Sequence, residues 1–111
     1  MSDLRTDTLD TSEVNAKKLL SEQIESLLVQ LPGWVVKQVE SVDRIEKVFS
    51  FKDFRDALAF TNKVGALAEQ ANHHPALLTE WGQVTVTWWS HDLGGLHRND
   101  MIMAARTDQL S

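Results

Sequence analysis

The segment from Gln83 to Ser90 alternates strictly. Val84, Val86 and Trp88 fall on one parity, and Thr85, Thr87 and Trp89 on the other. Side chains of a β-strand point to opposite faces in turn, so this segment reads as a strand with one apolar and one mixed face. A strand of that kind needs neighbours. Trp34–Val39 and Arg44–Phe51 are rich in Val, Ile and aromatic residues, and the polar link Glu40–Asp43 between them reads as a hairpin connection. Leu77–Trp81 supplies a further short strand, closed by Gly82.

The remaining segments carry the helical period. Ala16, Leu20, Ile24, Leu27, Leu28 and Leu31 form an apolar stripe over 13–31 that Pro32-Gly33 ends. A second helix is expected over 53–71, with Phe54, Ala57, Leu58, Thr61, Val64, Ala68 and Ala71 on one face and Ser50 or Asp53 as the cap. Pro75 disfavours helical geometry at His74, which puts the His73-His74 pair in a loop just past that helix. Gly94-Gly95 breaks the chain again, and a last helix is expected over 97–107. The order is helix, two strands, helix, two strands, helix. It predicts a two-layer α+β fold, a four-stranded antiparallel sheet with the helices packed on one face.

A chain of 111 residues fits one domain. Residues 1–11, polar and rich in Thr and Asp, read as a flexible tail, and residues 12–111 as the single domain. The net charge of −5 and the absence of any basic run argue against nucleic acid or an anionic membrane as partner. With no cysteine there is neither a disulfide scaffold nor thiol chemistry, which suits a cytoplasmic setting. No N-terminal apolar run resembles a signal peptide, and no segment approaches a membrane span.

Candidate chemistry gathers between Glu69 and Asp100. His73, His74 and His91 stand in two compact motifs, Glu69-Gln70-Ala71-Asn72-His73-His74-Pro75 and Ser90-His91-Asp92-Leu93-Gly94-Gly95-Leu96. Imidazole both takes and gives a proton near neutrality, so such a cluster suggests acid–base catalysis. Glu69, four residues before His73, is placed to orient an imidazole. If His97 caps the last helix, Asp100 is its third residue, where a carboxylate bonds back to the cap amide; a site role for Asp100 is compatible with that. A His₃ zinc site is the competing interpretation, but adjacent histidines in one loop are an awkward pair for one metal. Of the two tryptophans, Trp88 is in phase with the core and Trp89 faces the other way, towards the site or an interface.

At these residues the sequence resembles the pterin-4a-carbinolamine dehydratase family. The shared pattern is Glu69, His73-His74-Pro75, Trp81, Ser90-His91, Gly94-Gly95-Leu96 and Asp100, in order; one departure is His97, where many members carry Thr. The segment from His73 to Asp100 is similar to the bacterial branch associated with phenylalanine hydroxylase. The resemblance implies a hydro-lyase that removes water from 4a-hydroxytetrahydropterin to give quinonoid dihydropterin. It implies His73, His74 and His91 as catalytic residues. Asn72, Pro75, Trp89, Ser90 and Asp92 would line the pterin, and Glu69 and Asp100 would support. It further implies no metal, no cofactor beyond the pterin substrate, and assembly into dimers or tetramers. A different class of function is a non-catalytic dimerisation or regulatory module, since relatives in animals also partner a transcription factor.

Overall fold

The computed structural model describes residues 3–10 and 17–111. Helix α1 is Ser21–Leu28, followed by strands β1 (Val35–Val39) and β2 (Val42–Ser50), helix α2 (Phe54–Ala71), strands β3 (Ala76–Glu80) and β4 (Gln83–Trp88), and helix α3 (Arg98–Asp108). The four strands form one antiparallel sheet in the order β1-β2-β4-β3. Each hairpin is local, and the sheet closes through the long-range β2·β4 pairing, in which Ile45 lies opposite Trp88 and Phe49 opposite Val84.

The alternation in β4 sets the layers. Val84, Val86 and Trp88 are fully buried with Ile45 and Phe49 of β2, and they meet Ala57, Phe60, Val64 and Ala68 of α2 in one core with Met101, Ile102 and Ala105 of α3. The other face carries Val35, Val48 and Leu78, which are 49%, 50% and 58% exposed. Helices thus cover one side of the sheet, the two-layer α+β arrangement expected from the element order.

Turn chemistry agrees with the connections. Glu40 and Ser41 both have positive φ (52° and 67°), the backbone that a two-residue hairpin turn of matching twist requires. The indole N–H of Trp88, buried with its ring, donates to Thr107 Oγ1 at 3.1 Å, and that hydroxyl donates onward to the Met103 carbonyl. A buried Trp N–H with no acceptor is costly, so this chain fixes α3 against β4. At the same end of α3, Asp108 accepts from both Trp34 Nε1 and Lys47 Nζ.

Two expectations need correction. The first helix begins at Ser21, with residues 17–20 non-helical; the expected residues 13–16 lie outside those described. Leu20 is extended, and the N–H of Leu19 is taken by the Leu96 carbonyl at 2.7 Å, so this stretch bonds to the loop before α3 instead of to itself. Residues 3–10 also depart from the expected free tail. Leu4 is fully buried, Asp7 accepts two bonds from the Arg98 guanidinium, and Asp10 and Asn99 bond to each other through N–H and amide groups. Buried Leu4, partly buried Leu9 and paired polar groups tie down a segment whose composition alone reads as solvated.

Candidate active site

The end of α2 and the end of β4 meet at one edge of the molecule. Helix α2 ends at Asn72, which adopts the left-handed conformation (φ 51°, ψ 42°) and sends its N–H back to Ala68 and Glu69 carbonyls, while His73 N–H also reaches the Ala68 carbonyl. Asn is among the few residues that tolerate this geometry, and it turns the chain sharply enough to start β3 within four residues. Past β4, Ser90 pairs with Gly95 in an isolated bridge, and the intervening turn is closed by N–H bonds of Leu93 and Gly94 to the Ser90 carbonyl. Gly94 sits at φ +64°, where a side chain would strain the turn.

The hub is Asp100. Its carboxylate is fully buried and accepts from three donors. His73 Nε2 lies 2.5 Å from Oδ1, Ser90 Oγ donates to Oδ2 at 2.7 Å, and the His97 backbone N–H donates to the same oxygen at 2.9 Å. The third of these bonds is half of a capping box. His97 is the N-cap of α3, its Nδ1 accepts from Asn99 N–H, and Asp100 at the third position returns the bond. One carboxylate therefore caps α3 with one oxygen and holds a histidine with the other.

This sets which nitrogen of His73 faces the carboxylate. An ionised Asp100 accepts at both oxygens, so His73 donates from Nε2, and in the neutral imidazole the lone pair then falls on Nδ1. The ring lies nearly parallel to Trp88, 5.7 Å between centroids and 8° between planes, and keeps about a fifth of its surface (21%) open to solvent.

The other histidines are arranged differently. His74 Nε2 lies 2.7 Å from Glu69 Oε2, in a pair whose side chains are 53% and 77% exposed. Such a surface pair contributes at most about 1 kcal/mol. Glu69 thus orients His74, while His73 takes its partner from α3. His91 is exposed, its Nε2 is 3.3 Å from the His74 carbonyl, and its ring packs on Trp89 at 4.3 Å and 33°. The consecutive tryptophans point to opposite faces of the sheet end, and each backs one histidine: Trp88 behind His73 and Trp89 behind His91.

The sheet end thus brings together His73, His74, His91, Glu69, Ser90, Trp89 and Asp100. The Ser90 hydroxyl is committed to Asp100, and its backbone N–H and carbonyl are bonded within the turn, so Ser90 builds the site rather than facing a ligand. Asn72 and Asp92 are exposed and Pro75 half-buried beside them in the chain. Trp81, by contrast, sits at the β3–β4 turn, 73% exposed, at the far end of the hairpin from the histidines. Sequence reasoning missed Arg44, whose guanidinium carbon lies 4.0 Å from the centroid of Trp89. The signal that finds it is the β2·β4 register, which no local pattern reports. Among the described residues no three His, Asp or Glu side chains converge as a metal-binding group, and no helix is long and apolar enough to cross a membrane.

Fold and site together define a small two-layer α+β domain with a histidine–carboxylate cluster at one end of its sheet. The chain belongs to the pterin 4 alpha carbinolamine dehydratase family, whose model matches residues 17–110. A relative from Nitrosococcus oceani, provisionally named a pterin-4-alpha-carbinolamine dehydratase, is 53% identical over 110 residues, covering 99% of this chain and 97% of that protein. One of the same provisional name from Microcystis aeruginosa is 46% identical, covering 99% and 95%. Among solved structures, a transcriptional coactivator/pterin dehydratase from Brucella melitensis superposes with a TM-score of 0.76 at 29% identity, covering 85% of this chain and 98% of that one. A pterin dehydratase-like protein described as a RuBisCO assembly factor in the alpha-carboxysome gives 0.59 at 25% identity, covering 70% and 88%.

Proposed function

We propose that this protein dehydrates 4a-hydroxytetrahydropterin to quinonoid dihydropterin by histidine acid–base catalysis. The observation that carries the proposal is the His73–Asp100 pair, in which a fully buried carboxylate holds one imidazole by its Nε2 at an accessible surface. The reaction breaks the C4a–O bond and removes the N5 proton; the oxygen leaves as water once protonated. It therefore needs one group to give a proton at the 4a oxygen and one to take it at N5. His73, with Nδ1 free, and His91, on the other face of the sheet end, are the two proton-handling groups. His74, held by Glu69, orients the substrate. Backbone groups at Asn72, Trp89, His91 and Asp92 line the pterin.

The likeness of residues 73–100 to the bacterial branch supports phenylalanine hydroxylase as the pterin-dependent enzyme served, and the acidic, cysteine-free composition supports a cytoplasmic setting. Self-association is proposed on the uncovered sheet face, where Val35, Val48 and Leu78 stand exposed in a domain that has helices for the other face alone. Light scattering tests this, and a monomer of 12.5 kDa at micromolar concentration contradicts it. Catalysis is tested by stopped-flow absorbance with chemically prepared 4a-hydroxytetrahydropterin. The protein should accelerate its decay to quinonoid dihydropterin, and an unchanged decay rate refutes the proposal. A binding module without catalysis, the role suggested by the coactivator and assembly-factor names of the two structural relatives, gives that second result.

A further inference from the structure

Arg44 lies outside the motif residues, yet it is built into the back of the site. Because Ile45 is opposite Trp88, Arg44 falls beside Trp89 on the uncovered face of the sheet. Its guanidinium lies over the indole at 4.0 Å, well within cation–π distance. The same indole packs on the His91 imidazole at 4.3 Å.

The surroundings of Arg44 leave this stack as its main described anchor. Arg44 is half-buried, and its Nε is shielded from solvent with no hydrogen-bond partner among the described residues. Across the β1·β2 ladder it faces Lys37, a like charge. Glu46, two residues along on the same face, gives its carboxylate to the Thr87 hydroxyl. A guanidinium normally takes a carboxylate in bidentate fashion, and no such pair with a described residue holds it here.

We propose that Arg44 is a positioning residue for His91, acting through Trp89: the guanidinium clamps the indole, and the indole sets the plane of the imidazole. His91 is exposed and its bond to the His74 carbonyl is long at 3.3 Å, so that contact by itself orients the ring weakly. The stack supplies the missing constraint. The catalytic consequence rests on the role proposed above for His91; the geometric one does not.

The test is a double-mutant cycle read in two ways. Arg44→Ala should lower kcat by about three- to thirty-fold, the range a cation–π contact supplies, with KM little changed. Arg44→Lys keeps the charge without the planar stack and should recover part of the loss. In a Trp89→Leu background, Arg44→Ala should add nothing, since the ring through which it acts is gone. Independently of activity, NMR of the histidine ring protons should show the His91 signals moving in Arg44→Ala as the unclamped Trp89 indole changes its orientation, and so its ring-current shift, relative to the imidazole. The His73 signals, set by Trp88, should stay. A further loss from Arg44→Ala in the Trp89→Leu background overturns the proposal, because Arg44 then acts directly. So do unmoved His91 signals in a folded Arg44→Ala protein. If His91→Ala turns over at the wild-type rate, the catalytic role of His91 fails, and the NMR result alone decides the positioning.

Discussion

Replacing Asp100 by Asn tests the hub of the site with a change of one atom. The carboxylate accepts from His73 Nε2, Ser90 Oγ and the His97 N–H, and it is fully buried. The amide keeps the shape but supplies one acceptor oxygen and one NH₂ donor. Two of the donors share Oδ2, so the amide oxygen should stay there and the NH₂ should turn to His73. Donor would then face donor unless His73 shifts its hydrogen to Nδ1, which removes the Nδ1 lone pair that the proposed mechanism uses. The loss expected is that of a general base in the wrong tautomer, about 10²- to 10⁴-fold in kcat/KM, or roughly 3–5 kcal/mol of transition-state stabilisation. Stability should fall less, by about 1–3 kcal/mol for one mismatched buried group. Stopped-flow dehydration gives the first quantity and urea unfolding the second. Ser90→Ala is the control: it removes one donor, leaves the His73 contact in place, and should cost activity far less. A folded Asp100→Asn protein with wild-type kcat/KM refutes the tautomer argument and reduces Asp100 to a helix cap.

Three further outcomes follow from the structure. Thr107→Val strands the Trp88 indole N–H in the core and should destabilise by about 1–3 kcal/mol in urea unfolding, an effect absent if the indole finds another acceptor. The Arg98 guanidinium beside Asp7 holds that carboxyl below its ordinary value, so the contact contributes stability above the unfolded-state pKa of about 3.9, lost as pH falls through the lower folded value. Amide exchange in residues 3–10 should therefore accelerate in acid below that window before the core opens, and exchange independent of pH after correction for intrinsic rates contradicts this. Activity should survive exhaustive chelation with EDTA; loss restored by added zinc would favour a metal site built from these histidines.

The period-two pattern of residues 83–90 and the period of residues 53–71 give β4 and α2 nearly to the residue, because burial on one face writes itself into local spacing. The strand order β1-β2-β4-β3 is not local, and Arg44 beside Trp89 is legible once Ile45 is known to oppose Trp88. The capping role of Asp100 is visible in the spacing from His97, whereas its bond to His73 spans 27 residues and depends on how α3 docks. Glu69 shows the same limit. Sequence proximity suggested an imidazole partner on α2, but the left-handed turn at Asn72 carries His73 away towards α3 and leaves His74 to Glu69. Burial of Leu4 escaped composition because two leucines five residues apart in a polar segment establish no period.

We propose above that His73 and His91 move protons on a 4a-hydroxytetrahydropterin. The most direct measurement is the stopped-flow kcat/KM of the wild-type protein beside His73→Ala and His91→Ala, each shown to be folded by circular dichroism. The wild type should catalyse dehydration, and each variant should lose about 10²-fold or more, the usual size of a general acid–base contribution. Dehydration at the wild-type rate in both variants contradicts it.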